Sequence, residues 1–319
     1  AGAVGSYVIW GISSLDDVEL GVIAEGERAE RLKKNGCAIN GKIYHPEVWT
    51  PDEAHDVDLM VIALKYGSLE GALESIQKVT GEHTVIMSLM NGVDSEDIIA
   101  DRIGMSHIVY SLIKVASHRD GRGYYFNPDT TIGIIFGETA DKVSASDKIS
   151  EQTPVSDRIK LIDELFAASR LNYRVTEHIK EEMWSKFRLN VSNNLPQAVL
   201  GAGVGCYRDS EHKAISDGLR HELETIAKAK GIDLSVIDNS SSRGSAVPPT
   251  ARYSTLQDID AKRHTEIDMF SGALMRMGEE FGIPTPYNEY TYHIIKAIEE
   301  KNDGRFDYDK GNEELTYAR

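Results

Sequence analysis

The sequence predicts an α/β protein in which a parallel β-sheet domain is followed by an all-helical domain. Up to about residue 140, short apolar runs alternate with stretches of helix length, which is the pattern of successive βαβ units. From about Thr176 onward, apolar residues recur with the spacing of amphipathic helices. The chain has 319 residues, which suits two domains at roughly 150 residues each. We place these domains at 1–175 and 176–319.

The individual elements follow from the same patterns. Five apolar runs of the first domain are predicted strands: residues 20–24, 59–64, 84–89, 108–112 and 131–136. The turn-rich stretch 39–52 is predicted to hold an extra short strand or a loop. Four helical stretches are predicted in the second domain: residues 177–200, 209–231, 254–281 and 285–301. Gly231 and Gly282 stand where helices are expected to stop.

The charge balance excludes several classes of partner. The chain carries 35 Lys and Arg residues against 51 Asp and Glu residues, a net charge of −16. Nucleic-acid binding needs a basic face, and docking on anionic lipid needs a basic patch, so we expect neither partner. An anionic substrate must be bound by a few local cations or by backbone amides, because the field of the whole protein repels it.

The remaining composition indicates a soluble, cytoplasmic protein. Its two cysteines, Cys37 and Cys206, are too few for a disulfide framework. No apolar run approaches the ~20 residues of a membrane span, and the first residues do not have the pattern of a signal peptide. The ten histidines are scattered without the spacing of metal ligands, so we expect no metal.

A glycine-rich segment opens the chain and leads into a helical pattern. Gly2, Ala3, Val4 and Gly5 match the end of the Gly-x-Gly-x-x-Gly fingerprint of Rossmann-like dinucleotide-binding domains. In this interpretation, Gly2 lets the backbone approach a pyrophosphate, and the helix start supplies amides and a positive dipole. The first glycine and the first strand of the fingerprint are absent, so we expect a short N-terminal segment to be missing from the sequence. The alternative is an ordinary flexible terminus.

Glu25 follows the first predicted strand, where a carboxylate can accept hydrogen bonds from a ribose diol. This position favours NAD, because a carboxylate repels a 2′-phosphate. Two alternatives remain open: Glu25 is a solvated charge, or Arg28 or Arg31 reverses the preference by binding that phosphate.

Two further positions follow predicted strands at the sheet edge where α/β proteins bind ligands. Lys65 follows the strand at 59–64 and can reach a cofactor phosphate; otherwise it is a surface lysine. Asn91 follows the strand at 84–89 and can face the nicotinamide ribose. With Gly92 it can also form a simple turn.

The most informative stretch lies at 184–196. Lys186, Asn190 and Asn194 are spaced i, i+4 and i+8, so they share one helical face. An adjacent apolar stripe, which should face a core, consists of Phe187, Val191 and Leu195. Asparagines are poor helix formers, and beside a lysine they suggest a lined cleft rather than a solvated face, which is the alternative.

Five segments in order resemble the ketopantoate reductase family, and together they span nearly the whole chain. They are Gly2-Ala-Val-Gly5, Ser88-Leu-Met-Asn91-Gly92, Trp184-x-Lys186-x-x-x-Asn190-x-x-x-Asn194, Ser254-Thr-Leu-Gln-Asp-Ile with Arg263-His-Thr-Glu266-Ile-Asp268, and Gly282-Ile-Pro-Thr-Pro286.

This resemblance implies NADPH-dependent reduction of the 2-keto acid ketopantoate to D-pantoate, with substrate bound between the domains. On matching positions, Lys186 is the general acid and Glu266 binds substrate and poises that lysine. Substrate contacts are implied for Asn190, Asn194 and Ser254. The cofactor contacts are implied at Gly2, Ala3, Val4, Gly5, Glu25, Lys65 and Asn91. The chemistry agrees, since hydride attack on a keto carbon builds negative charge on oxygen, which an ammonium group stabilises and protonates.

Two departures from the family pattern bear on specificity. The family usually has arginine at the position of Glu25, so NADH remains open beside NADPH. It usually has proline directly after the asparagine matched by Asn194, whereas here Leu195 intervenes, and Asn193 can share the role of Asn194. The second departure leaves room for a different 2-keto acid.

Structural alternatives exist for two residues of the implied site. Ser254 can cap a helix with Gln257 three residues on, and Glu266 can pair with Lys262 one helical turn earlier. A further interpretation is a nucleotide sensor on the same fold that turns over no substrate. The long apolar helical faces of the second domain favour a homodimer.

Overall fold

The computed structural model describes residues 2–139, 156–208, 210–237 and 248–306. Contacts divide the chain into two compact units, Ala1–Met183 and Trp184–Arg319. The domain boundary at 175/176 stays a prediction from the sequence.

A five-stranded sheet forms the centre of the first unit, with the spatial order β11-β10-β7-β6-β5. Its strands are β5 (Leu59–Ile62), β6 (Val85–Ser88), β7 (Ile108–Lys114), β10 (Gly133–Gly137) and β11 (Tyr173–Val175). The pairs β5–β6 and β6–β7 are parallel, β7–β10 is antiparallel, and β10–β11 is parallel again.

Two smaller sheets complete the strands of this unit. In one, β1 (Gly21–Ile23) pairs in parallel with β4 (Glu47–Trp49). The other has the order β3-β2-β9-β8. Its strands are β2 (Cys37–Ile39), β3 (Lys42–Tyr44), β8 (Ser117–Asp120) and β9 (Gly123–Phe126). The turn-rich stretch 39–52 therefore holds short strands, and the hairpin β8–β9 was not predicted.

Helices cover both faces of the five-stranded sheet. They are α1 (Ala3–Ile12), α2 (Gly26–Asn35), α3 (Leu69–Val79), α4 (Ser95–Ile103) and α5 (Asp157–Ala168). Successive residues of a strand point to opposite faces, so Ile86 and Ile108 join the core under α3 and α4, whereas Met87 and Val109 join the core under α1, α2 and α5. This two-faced burial explains why the predicted strands read as continuous apolar runs.

The second unit is built from helices in the described ranges. α6 (Ile179–Leu189) crosses the division between the units, and a π-helix (Asn190–Asn194) and α7 (Leu195–Leu200) continue it. The others are α8 (Ser210–Ala229), α9 (Ser254–Asp260), α10 (Ser271–Phe281) and α11 (Pro286–Asn302). The α/β fold class with a helical second half is confirmed.

One predicted helix is wrong. Residues 254–281 form two helices, α9 and α10, with an irregular segment at 261–270 between them. Lys262 has a φ of +51°, which ends the helical path. Beyond it, the carboxylate of Glu299 accepts hydrogen bonds from the amide and the hydroxyl of Thr265, at 2.7 and 2.6 Å. This contact from a distant part of the sequence overrides the local apolar spacing. By contrast, α10 stops at Gly282 as predicted, with φ +66°.

Candidate active site

The N-terminus of α1 lies at the glycine-rich opening. Gly2 is the N-cap residue, and its carbonyl accepts a hydrogen bond from the amide of Ser6 at 2.8 Å. The first amides of an α-helix have no acceptor within it, which here applies to Ala3, Val4 and Gly5. Gly2 is exposed, and a Cβ at this position would meet no atom within 4 Å. The helix start is therefore open to an anion.

Glu25 is separated from the end of β1 by one residue, Ala24, and is the N-cap residue of α2. Its carboxylate is exposed and does not cap the helix amides. Lys78 lies within electrostatic range of Glu25 and forms an ion pair with Asp52 at 3.2 Å. The hydrogen bond and charge of Asp52, assisted by Glu25, raise the pKa of Lys78. The carboxylate of Glu25 therefore repels an anionic group bound beside it, whereas the ammonium group of Lys78 attracts it.

Lys65 and Asn91 lie just beyond the ends of two neighbouring strands, at corresponding positions. β5 and β6 are parallel, with Ile62 paired with Ser88. Lys65 and Asn91 each follow three residues later, so the fold brings both to the carboxyl edge of the sheet. Lys65 is exposed and Asn91 is half-buried. Gly92 has φ +90°, which favours glycine, and the chain bends at this Asn-Gly pair.

A buried hydrogen-bond chain lies beneath the turn that carries Asn91. The hydroxyl groups of Ser88 and Ser95 are 2.8 Å apart, Ser95 donates to the carboxyl of Glu96 at 2.8 Å, and Ser111 donates to the carbonyl of Ser88 at 2.7 Å. Glu96 is 1% exposed, and this burial raises its pKa to about 8. Sequence analysis missed this chain, because a charged residue in the first turn of a helix usually faces water.

Lys186, Asn190 and Asn194 are the polar residues predicted to share one helical face in the second unit. Lys186 and Asn190 are half-buried, and Asn194 is buried. The side-chain amide of Asn194 donates to the Asn190 amide oxygen at 3.4 Å, so the structure brings these two asparagines together. Phe187, Val191 and Leu195 are buried, as expected for the core-facing stripe.

The π-helix changes the backbone hydrogen bonds beneath the asparagines. Pro196 has no N–H, so the carbonyl of Ser192, four residues earlier, lacks its α-helical donor. The hydroxyl of Ser216 on α8 donates to this carbonyl at 2.6 Å, and the hydroxyl of Tyr207 donates to the carbonyl of Asn193. Side chains from outside the helix therefore stabilise the turn that carries Asn190 and Asn194. Single π-turns of this kind are frequent at functional sites.

Ser254 is the first residue of α9 and is exposed. The N-cap residue is Tyr253, one position earlier, and Gln257 donates from its side chain to the carbonyl of Arg252 at 2.6 Å. The alternative in which Ser254 and Gln257 form a capping box is therefore wrong. The hydroxyl of Ser254 stands at the surface of the helix start.

Glu266 is half-buried in the irregular segment 261–270. Because α9 ends at Asp260, the expected pairing of Glu266 with Lys262 across one helical turn loses its geometric basis. α11 holds both sides of Glu266 in place: Glu299 binds Thr265, and Asp268 accepts from Tyr292 at 2.7 Å and from Lys296 at 3.2 Å. Although burial opposes it, these two donors lower the pKa of Asp268.

His264 lies against the acidic end of α11. Its Nε2 atom is 3.0 Å from Asp303, and its Nδ1 atom is 3.6 Å from Glu299. These two carboxylates tie His264 to α11, which favours a structural role for this side chain. The anchoring roles of Asp268 and Glu299 were not predicted from the sequence; Thr265, whose amide and hydroxyl donate to Glu299, is 34 residues away, beyond any local pattern.

The described part of the chain contains no group of three or more His, Cys, Asp or Glu side chains arranged to hold a metal ion. Among the described helices, none is long and apolar enough to span a membrane.

Comparison with known proteins places these features in a family. The family "Ketopantoate reductase PanE/ApbA" matches residues 1–138, and its C-terminal counterpart matches residues 178–299. A 2-dehydropantoate 2-reductase of Mesorhizobium japonicum is 24% identical over 93% of this chain and 95% of its own length. The "Uncharacterized oxidoreductase YkpB" of Bacillus subtilis is 22% identical over 94% of this chain and 97% of its own length.

Solved structures share the fold. A ketopantoate reductase of the PanE/ApbA family from Ralstonia eutropha superposes with a TM-score of 0.77 at 20% identity, covering 95% of this chain and 97% of its own. D-mandelate dehydrogenase, solved with NADH and anilino(oxo)acetate, superposes with a TM-score of 0.77 at 23% identity and the same coverage.

The α/β unit, the helical unit and the matched families define a nicotinamide-dependent oxidoreductase. The chain belongs to the ketopantoate reductase family, and its enzyme class is that of the 2-dehydropantoate 2-reductases.

Proposed function

We propose that this chain reduces 2-dehydropantoate (ketopantoate) to D-pantoate, with Lys186 as the general acid. One observation carries the proposal: Lys186, Asn190 and Asn194 follow one another on a single, largely buried helix face, and the two asparagines are hydrogen-bonded to each other. Such a face offers one ammonium group and two neutral amides to a small anion. These are the groups that a 2-keto acid needs.

Each residue of the second unit has a task in this proposal. Reduction delivers a hydride to the keto carbon, and the developing alkoxide takes a proton from the ammonium group of Lys186. Asn190 and Asn194 bind substrate oxygens, with Ser254 as a further donor. Glu266 binds the substrate and poises the lysine, and α11 keeps its segment in place through Thr265.

The residues of the first unit fit a nicotinamide cofactor, which supplies the hydride. Gly2 leaves open space beside the amides of Ala3, Val4 and Gly5, where a pyrophosphate can bind. Lys65 and Asn91 stand at the same sheet edge. The carboxylate of Glu25 can bind the ribose diol of NADH, whereas family membership supports NADPH.

A second candidate is the reduction of another 2-keto acid. D-mandelate dehydrogenase shares the fold at a TM-score of 0.77 and was solved with NADH. Leu195, which separates Asn194 from Pro196, is a departure from the family pattern at the proposed substrate site.

The test is the oxidation of reduced nicotinamide, followed by absorbance, with 2-dehydropantoate and with a panel of other 2-keto acids. NADPH and NADH are compared in parallel, and faster turnover with NADH would assign the preference to Glu25. Turnover of another 2-keto acid alone would favour the second candidate. Cofactor binding without turnover of any 2-keto acid would favour a nucleotide sensor.

The variant Lys186→Ala tests the general acid. We expect kcat/KM to fall by about 10²- to 10⁴-fold, because protonation of the alkoxide loses its donor. Lys180→Ala is the matched control on the same helix, where Lys180 packs over the ring of Tyr110. Unchanged activity in Lys186→Ala would contradict the mechanism.

A homodimer and a cytoplasmic location remain proposals from the sequence. A dimeric ketopantoate reductase from Staphylococcus aureus shares the fold at a TM-score of 0.72 and 16% identity, covering 94% of this chain and 97% of its own. This similarity supports the homodimer.

A further inference from the structure

Gln197 is a buried amide on α7, three residues after Asn194. Its side chain is 0% exposed, and both of its polar atoms are used. Nε2 donates to the carbonyl of Ala251 at 3.2 Å, and Oε1 accepts from the amide of Tyr253 at 2.7 Å. One side chain thus binds two alternate peptide groups of the segment that leads into α9.

The same segment is held from a second side by backbone contacts. The amide of Val204 donates to the carbonyl of Ala251 at 2.9 Å, and the amide of Gly205 donates to Pro249 at 2.7 Å. Gly203 lies so close that a Cβ there would stand 2.6 Å from the carbonyl oxygen of Pro249. The segment 249–253 is therefore fixed on α7 and the chain that follows it.

The contact with Tyr253 determines where α9 begins. Tyr253 is the N-cap residue of α9, and its carbonyl accepts the first helical hydrogen bond, from Gln257 at 2.9 Å. The amide of Tyr253 donates to Gln197, and the carbonyl of the same peptide group, which belongs to Arg252, accepts from the side chain of Gln257 at 2.6 Å. Ser254 is the next residue.

We propose that Gln197 is a positioning residue that fixes Ser254 relative to Asn190 and Asn194. The proposal rests on the proposed function, in which these three side chains bind the 2-keto acid. Asn194 and Gln197 lie one turn apart on the same continuous helical path. A rigid link from Gln197 to Tyr253 therefore sets the spacing between the asparagines and the serine hydroxyl.

The chemistry of this link requires an amide. The carbonyl of Ala251 needs a donor and the amide of Tyr253 needs an acceptor, and a glutamine side chain supplies both. Methionine fills a similar volume but supplies neither. An ionised glutamate supplies only acceptors, whereas a protonated glutamate again carries one donor and one acceptor.

The experiment compares Gln197→Met with Asn288→Leu. Asn288 is an equally buried amide of the second unit, bound to Glu222 and Ser271. Two quantities are measured: the rate of hydrogen exchange of the peptide 251–257, and the KM values for the 2-keto acid and for the reduced cofactor. For Gln197→Met we expect faster exchange at 251–257, because the two hydrogen bonds from Gln197 to this segment are lost. We also expect the KM of the 2-keto acid to rise about tenfold, the effect of losing buried hydrogen bonds at one site. The KM of the cofactor should not change. Asn288→Leu should lower thermal stability without either effect.

A third variant, Gln197→Glu, tests the donor and acceptor directly. Burial raises the pKa of a carboxyl group, so the KM of this variant should return toward the wild-type value as the pH is lowered from about 8 to about 6. Arg252, which precedes α9, pairs with Asp260, the last residue of α9, and the neighbouring Tyr207 and Tyr253 have raised pKa values because they are buried. A purely structural role would not give this rescue.

The outcomes separate the proposals. Unchanged exchange at 251–257 in Gln197→Met, or faster exchange with an unchanged KM of the 2-keto acid, would overturn the positioning role. An equal rise in KM in Asn288→Leu would do the same. If the wild-type protein turns over no 2-keto acid, the proposed function fails on that measurement, while the exchange data still show whether Gln197 anchors Tyr253.

Discussion

Glu96 is a buried carboxyl group at the start of α4 that accepts a hydrogen bond from Ser95. Burial raises its pKa to about 8, and the nearby carboxylates of Asp94 and Asp97 act in the same direction. Glu96 has a pKa of 4.5 in the unfolded chain. Between pH 4.5 and about 8, the folded protein therefore holds a proton at Glu96 that the unfolded chain has released. Below the lower value both states are protonated, so the free energy of unfolding falls as the pH rises through this window.

We expect Glu96→Gln to remove this pH dependence. Between pH 5 and pH 8, the free energy of unfolding of the wild type should fall relative to the variant by about 1.4 kcal/mol per pH unit. Denaturant unfolding at several pH values measures the difference. Glu70→Gln, at an exposed position on α3, is the control and should follow the wild type. Parallel curves for Glu96→Gln and the wild type would show that Glu96 is ionised in the folded state.

The residues that sequence analysis found and those it missed differ in one respect. Lys186, Asn190 and Asn194 were found because helical spacing alone puts them on one face. Gln197 was missed because its role depends on Tyr253, 56 residues away, and Glu96 because its partner Ser95 is linked in turn to Ser88 on another element, which no local period shows. A polar residue in a helix looks the same in the sequence whether it faces water or binds a buried peptide group.

At the level of elements, the π-helix depends on hydroxyl groups that come from elsewhere in the chain. Tyr207 donates to Asn193 and Ser216 donates to Ser192. We expect Tyr207→Phe to lower the free energy of unfolding by about 1 kcal/mol, because the half-buried carbonyl of Asn193 loses a donor. It should also raise the KM of the 2-keto acid, since Asn190 and Asn194 lie on this turn. Thermal unfolding and steady-state kinetics measure the two effects.

Tyr173→Phe is the control for this variant. Tyr173 donates to the carbonyl of Asp163 at 3.2 Å in the first unit, so its loss should leave the KM of the 2-keto acid unchanged. A similar KM effect in both variants would show that the Tyr207 hydrogen bond does not orient the asparagines.

The elements also show where a local pattern stops being informative. Four strands of the central sheet, β5, β6, β7 and β10, were predicted because burial on both faces leaves continuous apolar runs, whereas the short strand β11 at 173–175 was not predicted. The prediction of one helix over 254–281 was wrong: the chain leaves the helical path at Lys262, and Glu299, far along the chain, binds the backbone amide of Thr265. The same contact holds the neighbourhood of Glu266, so the error lies at the candidate site itself.

The net charge of the whole molecule, −16, works against an anionic substrate. We expect kcat/KM for a 2-keto acid to rise by about two- to fivefold when the ionic strength is raised from about 0.01 to about 0.15 M, because salt screens this repulsion. The methyl ester of the same keto acid, which is neutral, is the control and should show no such rise. A fall with added salt would instead show that local cations steer the substrate.

The π-helix has a consequence for comparing sequences across the family. An α-helix closes each turn with i to i+4 hydrogen bonds, whereas a π-helix uses i to i+5, so one turn takes up an additional residue. Compared with the family pattern, Pro196 stands one position later, because Leu195 intervenes. The extra residue of the π-turn can accommodate this shift without rotating Asn190 away from Asn194. Beyond Asn194, equal residue counts therefore no longer mean equal helix faces, and corresponding positions in relatives have to be matched by the face they occupy.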